Sequence, residues 1–154
     1  MQLRLKNEAA TIQLGDLLAR TLPVDINGWT VLLEGELGAG KSTLARALIH
    51  ALGHEGAVPS PTYTLVEPYS LSRGMVYHID LYRVSSEEEL RFLGWNELDE
   101  GLRLVEWPER APSLGREADL RIGMSYDGAG RTAQIEALSD EAKVLIHQMD
   151  AADF

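Results

Sequence analysis

The feature that most constrains this chain is a glycine-rich segment, GELGAGKS, at residues 35–42. It satisfies the pattern GxxxxGK[ST] at every specified position. The apolar run at 29–33 is typical of a buried strand, and a helical pattern begins at Lys41. A strand, a glycine loop and a helix in this order predict a loop whose backbone N–H groups bind phosphate beside the positive end of the helix dipole.

The residue types in this loop predict how a nucleotide is held. Glycines allow the backbone to approach the phosphates closely. Lys41 is predicted to bridge the β- and γ-phosphates, and Ser42 to give its hydroxyl to Mg²⁺. Thr43 is placed for the α-phosphate. The predicted cofactors are therefore ATP and Mg²⁺.

Two acidic residues end predicted strands, Asp80 after the run 75–80 and Glu106 within the run 102–107. A phosphate loop needs an acid at the end of a neighbouring strand to hold the shell of the Mg²⁺ ion. Both residues are predicted to belong to the site. One would hold the metal and the other the attacking water, and the residues alone leave open which does which.

Composition limits the other kinds of site. The chain of 154 residues has no cysteine, which excludes disulfides, thiolate metal sites and thiol nucleophiles. Its net charge of −10 opposes contact with nucleic acids and anionic membranes, so a role with nucleic acid is expected to be indirect. Because the opening residues lack a signal-peptide pattern and no apolar run approaches about 18 residues, we expect a cytoplasmic protein without a membrane segment.

The remaining patterns predict one α/β domain over residues 1–154. Strands parallel to each other are expected around the glycine loop, and antiparallel pairs elsewhere, including a C-terminal β-hairpin. The expected strands are 3–6, 29–33, 63–69, 75–80, 102–107, 120–126 and 132–138, and the expected helices are 8–22, 41–52, 86–94 and 140–149.

Two short-range predictions concern the middle of the chain. Ser85 and Ser86 precede Glu88 and Glu89 by three residues, which is the pattern of a doubled capping box and predicts a short helix ending near Gly94. The four histidines show no metal-ligand spacing and are expected to be structural. His78 is the one that requires attention, because its neighbour Asp80 is placed in the site.

Five motifs occur together in one order and spacing: GELGAGKST at 35–43, SPTYTLV at 60–66, HIDLYR at 78–83, EEL at 88–90 and VEW at 105–107. Together they resemble the TsaE family, small bacterial P-loop ATPases of tRNA threonylcarbamoyladenosine biosynthesis. The resemblance covers roughly residues 5–140. It implies a P-loop NTPase-like mixed sheet with flanking helices.

The resemblance also implies roles for individual residues. Ser42 and Glu106 occupy the Mg²⁺ positions of the family, with Asp80 beside them. Thr62 lies in the switch segment near the γ-phosphate, and Thr11 lies near the nucleotide base. The residues implied to wrap the triphosphate are Gly38, Ala39, Gly40, Lys41, Ser42 and Thr43, and those implied in catalysis are Lys41, Thr62, Asp80 and Glu106.

The implied function is an ATP-hydrolysing switch on the TsaD–TsaB complex, which modifies the adenosine beside the anticodon of ANN-decoding tRNAs. The tRNA itself would be contacted at most indirectly. The alternative is a small-molecule kinase of the short P-loop type, which requires an arginine-bearing lid, and a third reading is a nucleotide-gated binding module without turnover. The stretch 102–131 holds five arginines but has the pattern of a strand and a hairpin, which disfavours the kinase.

Overall fold

The computed structural model describes residues 1–150, so residues 151–154 of the predicted domain lie outside the described residues. One sheet contains seven strands. They are β1 (Gln2–Leu5), β2 (Thr30–Glu34), β3 (Val66–Leu71), β4 (Gly74–Asp80), β5 (Gly101–Glu106), β6 (Leu120–Asp127) and β7 (Gly130–Ala137). The α-helices are α1 (Glu8–Thr21), α2 (Lys41–Ala51) and α3 (Asp140–Asp150), and short 3₁₀ helices lie at Glu87–Leu93, Trp95–Glu100, Pro108–Arg110 and Pro112–Arg116.

The strand order β1-β7-β6-β2-β5-β4-β3 places the strand before the glycine loop at the centre of the sheet. β2 is parallel to β5 and β6, and β4 is parallel to β5. The other pairs, including the hairpin of β6 and β7, are antiparallel. The predicted mixed α/β architecture is therefore confirmed, and the carboxyl ends of β2, β4 and β5 meet at one edge, where ligands of such sheets bind.

The two faces of the sheet are covered differently. Val31 and Leu33 of β2 belong to the larger core, which includes the buried faces of α1 and α2. Leu32, between them, belongs to a smaller core with Trp95 and Leu114 of the 3₁₀ helices. This alternation follows from the period of two in a strand and explains why β2 is apolar on both faces at residues 31–33.

Helix α1 begins where the sequence predicts and lies close against α2. The side chain of Asn7 caps it by accepting a hydrogen bond from the Ala10 N–H at 2.9 Å, which agrees with the predicted start of the helix at residue 8. Gly15 faces α2 so closely that a Cβ atom there would lie 2.6 Å from Cβ of Ala47. The contact fixes the position of α2, whose first turn follows the glycine loop.

Arg73, in the turn between β3 and β4, binds the carboxyl end of α1. Its guanidinium donates to the carbonyl oxygens of Ala19 and Leu22 at 2.8 and 2.9 Å, and to those of Pro23 and Val24 at 2.8 and 3.4 Å. A cation at this end of a helix satisfies carbonyls that have no partner within the helix. The side chain therefore joins the β3–β4 hairpin to α1.

Two local predictions are wrong. The strand expected at 63–69 starts only at Val66, because Leu65 has φ 67° and its N–H bonds to the Pro61 carbonyl at 2.7 Å, which makes 61–65 a turn. The predicted capping box does not form either. Ser86 stands at the N-cap without a side-chain hydrogen bond, and Glu89 instead accepts from the Ser85 hydroxyl, so that Glu87–Leu93 is a 3₁₀ helix.

Among residues 1–150, no helix has the length and apolar character needed to cross a membrane.

Candidate functional site

The glycine loop joins β2 to α2 at the carboxyl edge of the sheet. Gly40 is the N-cap of α2, with φ 109° and no side-chain hydrogen bond to the first turn. The first N–H groups of a helix have no partner inside it. They are therefore available to an anion beside the loop. Gly35 at the other end has φ 145°, and a Cβ atom there would lie 2.4 Å from the Met124 carbonyl oxygen, so no other residue fits.

Lys41 is the positive centre of the loop and is only 5% exposed. Its ammonium group donates to the carbonyl oxygens of Gly35 and of Glu36, the latter at 3.1 Å, and lies 4.0 Å from the centre of the Trp107 ring. Burial lowers the pKa of Lys41, while nearby carboxylates, Glu106 first, partly offset this effect. The side chain is thus folded back on its own loop, where it can exchange carbonyl oxygens for phosphate oxygens.

Ser42 and Glu106 are directly connected. The Ser42 hydroxyl donates to Oε1 of Glu106 at 2.9 Å, and Nε2 of His78 lies 2.6 Å from Oε2. Glu106 and His78 are 2% and 1% exposed. The carboxylate of Glu106 is therefore held from both sides, and its Oε1 faces the serine predicted to bind Mg²⁺.

Asp80 has a different set of partners. It is the register partner of Glu106 across β4 and β5, so both carboxylates lie on the same face of the sheet. Its Oδ2 accepts from the Thr62 hydroxyl at 3.2 Å, and its Oδ1 accepts from the Tyr82 N–H at 2.8 Å. The hydroxyls of Thr62 and Ser60 lie 2.8 Å apart. Asp80 is therefore connected to the segment before β3, whereas Glu106 is connected to α2.

These groups surround a cavity of about 300 Å³. The structure brings eight of the predicted site residues to its wall: Gly38, Gly40, Lys41, Ser42, Thr43, Thr62, Asp80 and Glu106. Ala39 is not among the lining residues. It is 1% exposed, and its N–H donates to the Glu36 carbonyl at 3.0 Å, so it closes the turn of the loop from inside.

A second cavity of about 240 Å³ lies on the other side of the loop. It shares Gly38, Gly40 and Thr43 with the first cavity, and the predicted Thr11 lines it together with Asn7 and Glu8. The turn of the β6–β7 hairpin closes it through Ala129, Gly130 and Arg131. The two cavities therefore adjoin along the loop, and they extend from Asp80 on one side to α1 on the other.

Several residues at these cavities were not predicted. Tyr82 and Trp107 line the first cavity, with ring centres 4.9 Å apart. Each follows a strand-end acid by one or two positions, and this proximity is the signal that could have identified them. Arg131 donates to the Gly38 carbonyl at 3.2 Å and stacks on Tyr126, whose hydroxyl donates to the Leu37 carbonyl at 2.9 Å. Nothing in the sequence of the hairpin indicates this contact.

The donor set fits a small hard cation shared with phosphates. It consists of two carboxylates and one hydroxyl, all of them oxygen donors of the kind that Mg²⁺ prefers. Within residues 1–150, no three His, Cys, Asp or Glu side chains are grouped so that they could hold a metal ion by themselves. Mg²⁺ characteristically takes only one or two carboxylates and completes its shell with water and substrate phosphates.

A strand, a glycine loop and a helix at the centre of this sheet define the fold of P-loop nucleotide-binding proteins. The family model "Threonylcarbamoyl adenosine biosynthesis protein TsaE" matches residues 5–142. The chain belongs to the TsaE family.

Relatives support the same assignment. The tRNA threonylcarbamoyladenosine biosynthesis protein TsaE of Haemophilus influenzae is 41% identical over 118 residues, which is 75% of each chain. The TsaE protein of Synechocystis is 39% identical over 119 residues, 74% of each chain, and that of Aquifex aeolicus is 41% identical over 108 residues, 69% of this chain and 75% of the relative. The crystal structure of YdiB from Bacillus subtilis has the same fold, with a TM-score of 0.80 and 24% identity over 98% of this chain and 94% of that one.

Proposed function

We propose that this chain is a single-domain, cytoplasmic ATPase that binds Mg-ATP at the glycine loop. We further propose that it serves the threonylcarbamoyl modification of adenosine beside the anticodon of ANN-decoding tRNAs, as a nucleotide-dependent switch on a complex of TsaD- and TsaB-type proteins. The observation that carries the ATPase proposal is the hydrogen bond of 2.9 Å between Ser42 and Glu106, beside the buried Lys41.

The triphosphate would lie in the cavity of about 300 Å³. The first-turn N–H groups of α2 would donate to phosphate oxygens, and Lys41 would move its ammonium group from the loop carbonyls to the β- and γ-phosphates. Because the lysine is already buried, its attraction to the phosphates would act at a low dielectric constant and would be stronger than in water.

Ser42, Glu106 and Asp80 are the residues that would hold Mg²⁺ and its water shell. The ion supplies neutralisation of phosphate charge. Glu106 is the acid proposed to hold the ion, because its Oε1 already accepts a hydrogen bond from the Ser42 hydroxyl. Asp80 is the acid proposed to orient the attacking water, because its partner Thr62 lines the cavity from the segment before β3.

The segment from Ser60 to Thr64 is the proposed switch. It carries two hydroxyls into the cavity, and the Thr62 hydroxyl is bonded to Asp80. A γ-phosphate would compete for this hydroxyl, and its departure after hydrolysis would return Thr62 to Asp80. Ordering of a segment by the γ-phosphate is an established way for nucleotide switches to report their state.

The second cavity is proposed to take the nucleoside. It adjoins the loop at Thr43, and α1 and the β6–β7 hairpin form its walls. Thr11, Asn7 and Glu8 offer hydroxyl, amide and carboxylate oxygens for the ribose and the base. Phosphates in one cavity and a nucleoside in the next would place an ATP molecule along the loop.

Three of the five arginines between 102 and 131 are engaged within the fold, which favours the ATPase over a kinase with an arginine-bearing lid. Arg103 is 6% exposed, bonds to Thr30 and stacks on Trp95 within the fold. Arg121 forms ion pairs on the sheet, and Arg131 binds the loop carbonyl of Gly38. The net charge of −10 favours action on tRNA through partner proteins.

The test is phosphate release from Mg-ATP, measured with and without the TsaD- and TsaB-type proteins. Glu106→Gln should lower Mg²⁺-dependent turnover at least about 10-fold, because the amide cannot supply the anionic oxygen. Glu141→Gln, the same change on the exposed side of α3, is the matched control and should turn over as the wild type does. Full activity of Glu106→Gln would remove this residue from the site.

The switch proposal has a separate test. The tagged protein is incubated with the TsaD–TsaB complex in ATP and then in ADP, and the co-purifying proteins are quantified. We expect the amount of bound complex to depend on the nucleotide, and Thr62→Val to remove that dependence. Equal association in both nucleotides would contradict the switch while leaving the ATPase proposal intact.

A further inference from the structure

His78 is a buried polar side chain beside the phosphate cavity for which neither the phosphates nor the cation has a use. It is 1% exposed and lies on β4, two residues before Asp80 and two after the fully buried Val76. Its register partner is Leu104, two residues before Glu106 on β5. His78 therefore stands between the apolar core and the two carboxylates, at a position where a leucine would satisfy the pattern of the strand.

The environment of His78 fixes which ring nitrogen carries the hydrogen. Nε2 lies 2.6 Å from Oε2 of Glu106, whereas Nδ1 is buried without a hydrogen-bond partner among the described residues. A hydrogen on Nδ1 would be a buried donor without an acceptor, which is costly, whereas a bare lone pair costs less. The ring therefore donates its Nε2–H to the carboxylate of Glu106.

This hydrogen bond determines what Glu106 can do. With Oε2 occupied by the imidazole, only Oε1 faces the cavity, and it points at the Ser42 hydroxyl 2.9 Å away. A glutamate has three rotatable bonds, and the hydrogen bonds with Ser42 and His78 are the contacts that hold this carboxylate in one rotamer. The orientation of Oε1 toward the first turn of α2 thus depends on His78.

We infer that His78 is a positioning residue that holds the Glu106 carboxylate toward Ser42 and thereby sets the affinity of the site for the divalent cation. The inference rests on the proposed function, since it concerns the Mg²⁺ of Mg-ATP. Hydrogen-bond donors behind a metal-binding carboxylate or imidazole typically contribute 10- to 100-fold to metal affinity. His78 contacts neither nucleotide nor metal in this arrangement, and its effect passes through Glu106.

The test compares variants that differ in whether their side chain reaches Glu106. His78→Gln keeps an N–H donor at about the distance of Nε2, whereas His78→Asn is polar but too short to reach. The readout is calorimetric affinity for a non-hydrolysable ATP analogue, measured with Mg²⁺ and with EDTA, so that turnover is not involved. Thr30→Val, a fully buried polar position at the opposite end of β2, which pairs with β5, is the control for a merely structural loss.

We expect His78→Asn to lose about 10- to 100-fold in the Mg²⁺-dependent part of the affinity, with the EDTA value unchanged. His78→Gln should retain most of the wild-type affinity, and Thr30→Val all of it, even if both are less stable to heat. In a Glu106→Gln background, His78→Asn should cause no further loss, because the residue acts through Glu106.

The inference is overturned if His78→Asn binds Mg²⁺ and the analogue as the wild type does, or if His78→Gln loses as much as His78→Asn. It is also overturned if Thr30→Val shows the same loss, since the effect would then follow stability alone. A wild type that binds the analogue equally with Mg²⁺ and with EDTA is a different outcome, which removes the proposed Mg-ATP function and the role of His78 with it.

Discussion

Lys41→Met is expected to separate nucleotide binding from the stability of the fold. In the free protein the lysine is 5% exposed, and its ammonium group contacts the Gly35 and Glu36 carbonyls and the Trp107 ring. Burial lowers its pKa, which means that the folded state holds the charge at a cost. Methionine has a similar length and volume and needs no counter-charge, so the loop can keep its shape.

The magnitudes of the two effects differ. A charge-assisted hydrogen bond to phosphate contributes about 1.5–3 kcal/mol, so the methionine variant should bind ATP about 10- to 150-fold more weakly. Its free energy of unfolding should stay within about 1 kcal/mol of the wild-type value or exceed it, because the removal of a desolvated charge offsets the loss of two carbonyl contacts.

The pH dependence of the same pair of proteins gives a further check. The pKa of Lys41 lies below 10.5 in the folded state because of burial, and at the ordinary lysine value of 10.5 when unfolded. Between these two values the unfolded chain binds more protons at Lys41, so the contribution of Lys41 to stability rises with pH. This contribution is fully present above pH 10.5 and is lost as the pH falls through the pKa that Lys41 has in the folded state. The methionine variant lacks this gain, so the wild type should gain stability relative to it as the pH approaches 10.5.

Calorimetric titration with ATP gives the affinity, and urea denaturation at several pH values gives the stability. Unchanged affinity in Lys41→Met would refute the phosphate role of the lysine. A loss of more than about 2 kcal/mol in stability would refute the reasoning about its burial, since the side chain would then be a structural contact of the loop.

Three other substitutions test the surrounding structure. Arg73→Ala should lower the free energy of unfolding by about 2 kcal/mol, because four carbonyl oxygens in the last turn of α1 and just after it lose their donor; an unchanged urea midpoint would show that water replaces it fully. Gly15→Ala should lower the melting temperature despite its better helix propensity, since its Cβ would meet that of Ala47 at 2.6 Å; a higher melting temperature would mean that α1 moves freely. Thr62→Val should lower turnover and weaken the affinity for ATP but not for ADP, as phosphate release and titration would report, because the γ-phosphate loses the hydroxyl that Asp80 otherwise accepts from; equal turnover would exclude Thr62 from hydrolysis.

The sequence could predict those parts of the site that depend on local spacing. The residues from Gly38 to Thr43 follow from one motif between a strand and a helix, and all but Ala39 line the cavity. Asp80 and Glu106 follow from the rule that carboxyl ends of parallel strands meet at one edge, which the register confirms. The partners of these two acids, Ser42 for Glu106 and Thr62 for Asp80, could not be predicted, because the spacing of residues in the sequence does not show which element lies beside each acid.

Contacts between distant segments were beyond the sequence. Arg131 reaches the Gly38 carbonyl across 93 positions, and its hairpin turn has the same residues that any exposed turn would have. The fold shows the same limit. Tyr63 and Thr64 are strand-forming residue types, but Pro61 and the left-handed Leu65 make a turn of this segment. The turn from Pro61 to Leu65, rather than the strand propensity of Tyr63 and Thr64, decides the conformation of this segment.

The most direct test of the account is a crystal structure of the chain grown with Mg²⁺ and a non-hydrolysable ATP analogue. The account predicts phosphate oxygens within hydrogen-bond distance of the N–H groups at the start of α2 and of the Lys41 ammonium group. It also predicts a cation bonded to the Ser42 hydroxyl beside Glu106, and the nucleoside in the cavity lined by Thr11. An analogue bound elsewhere, or phosphates that leave Lys41 on its loop carbonyls, would contradict it.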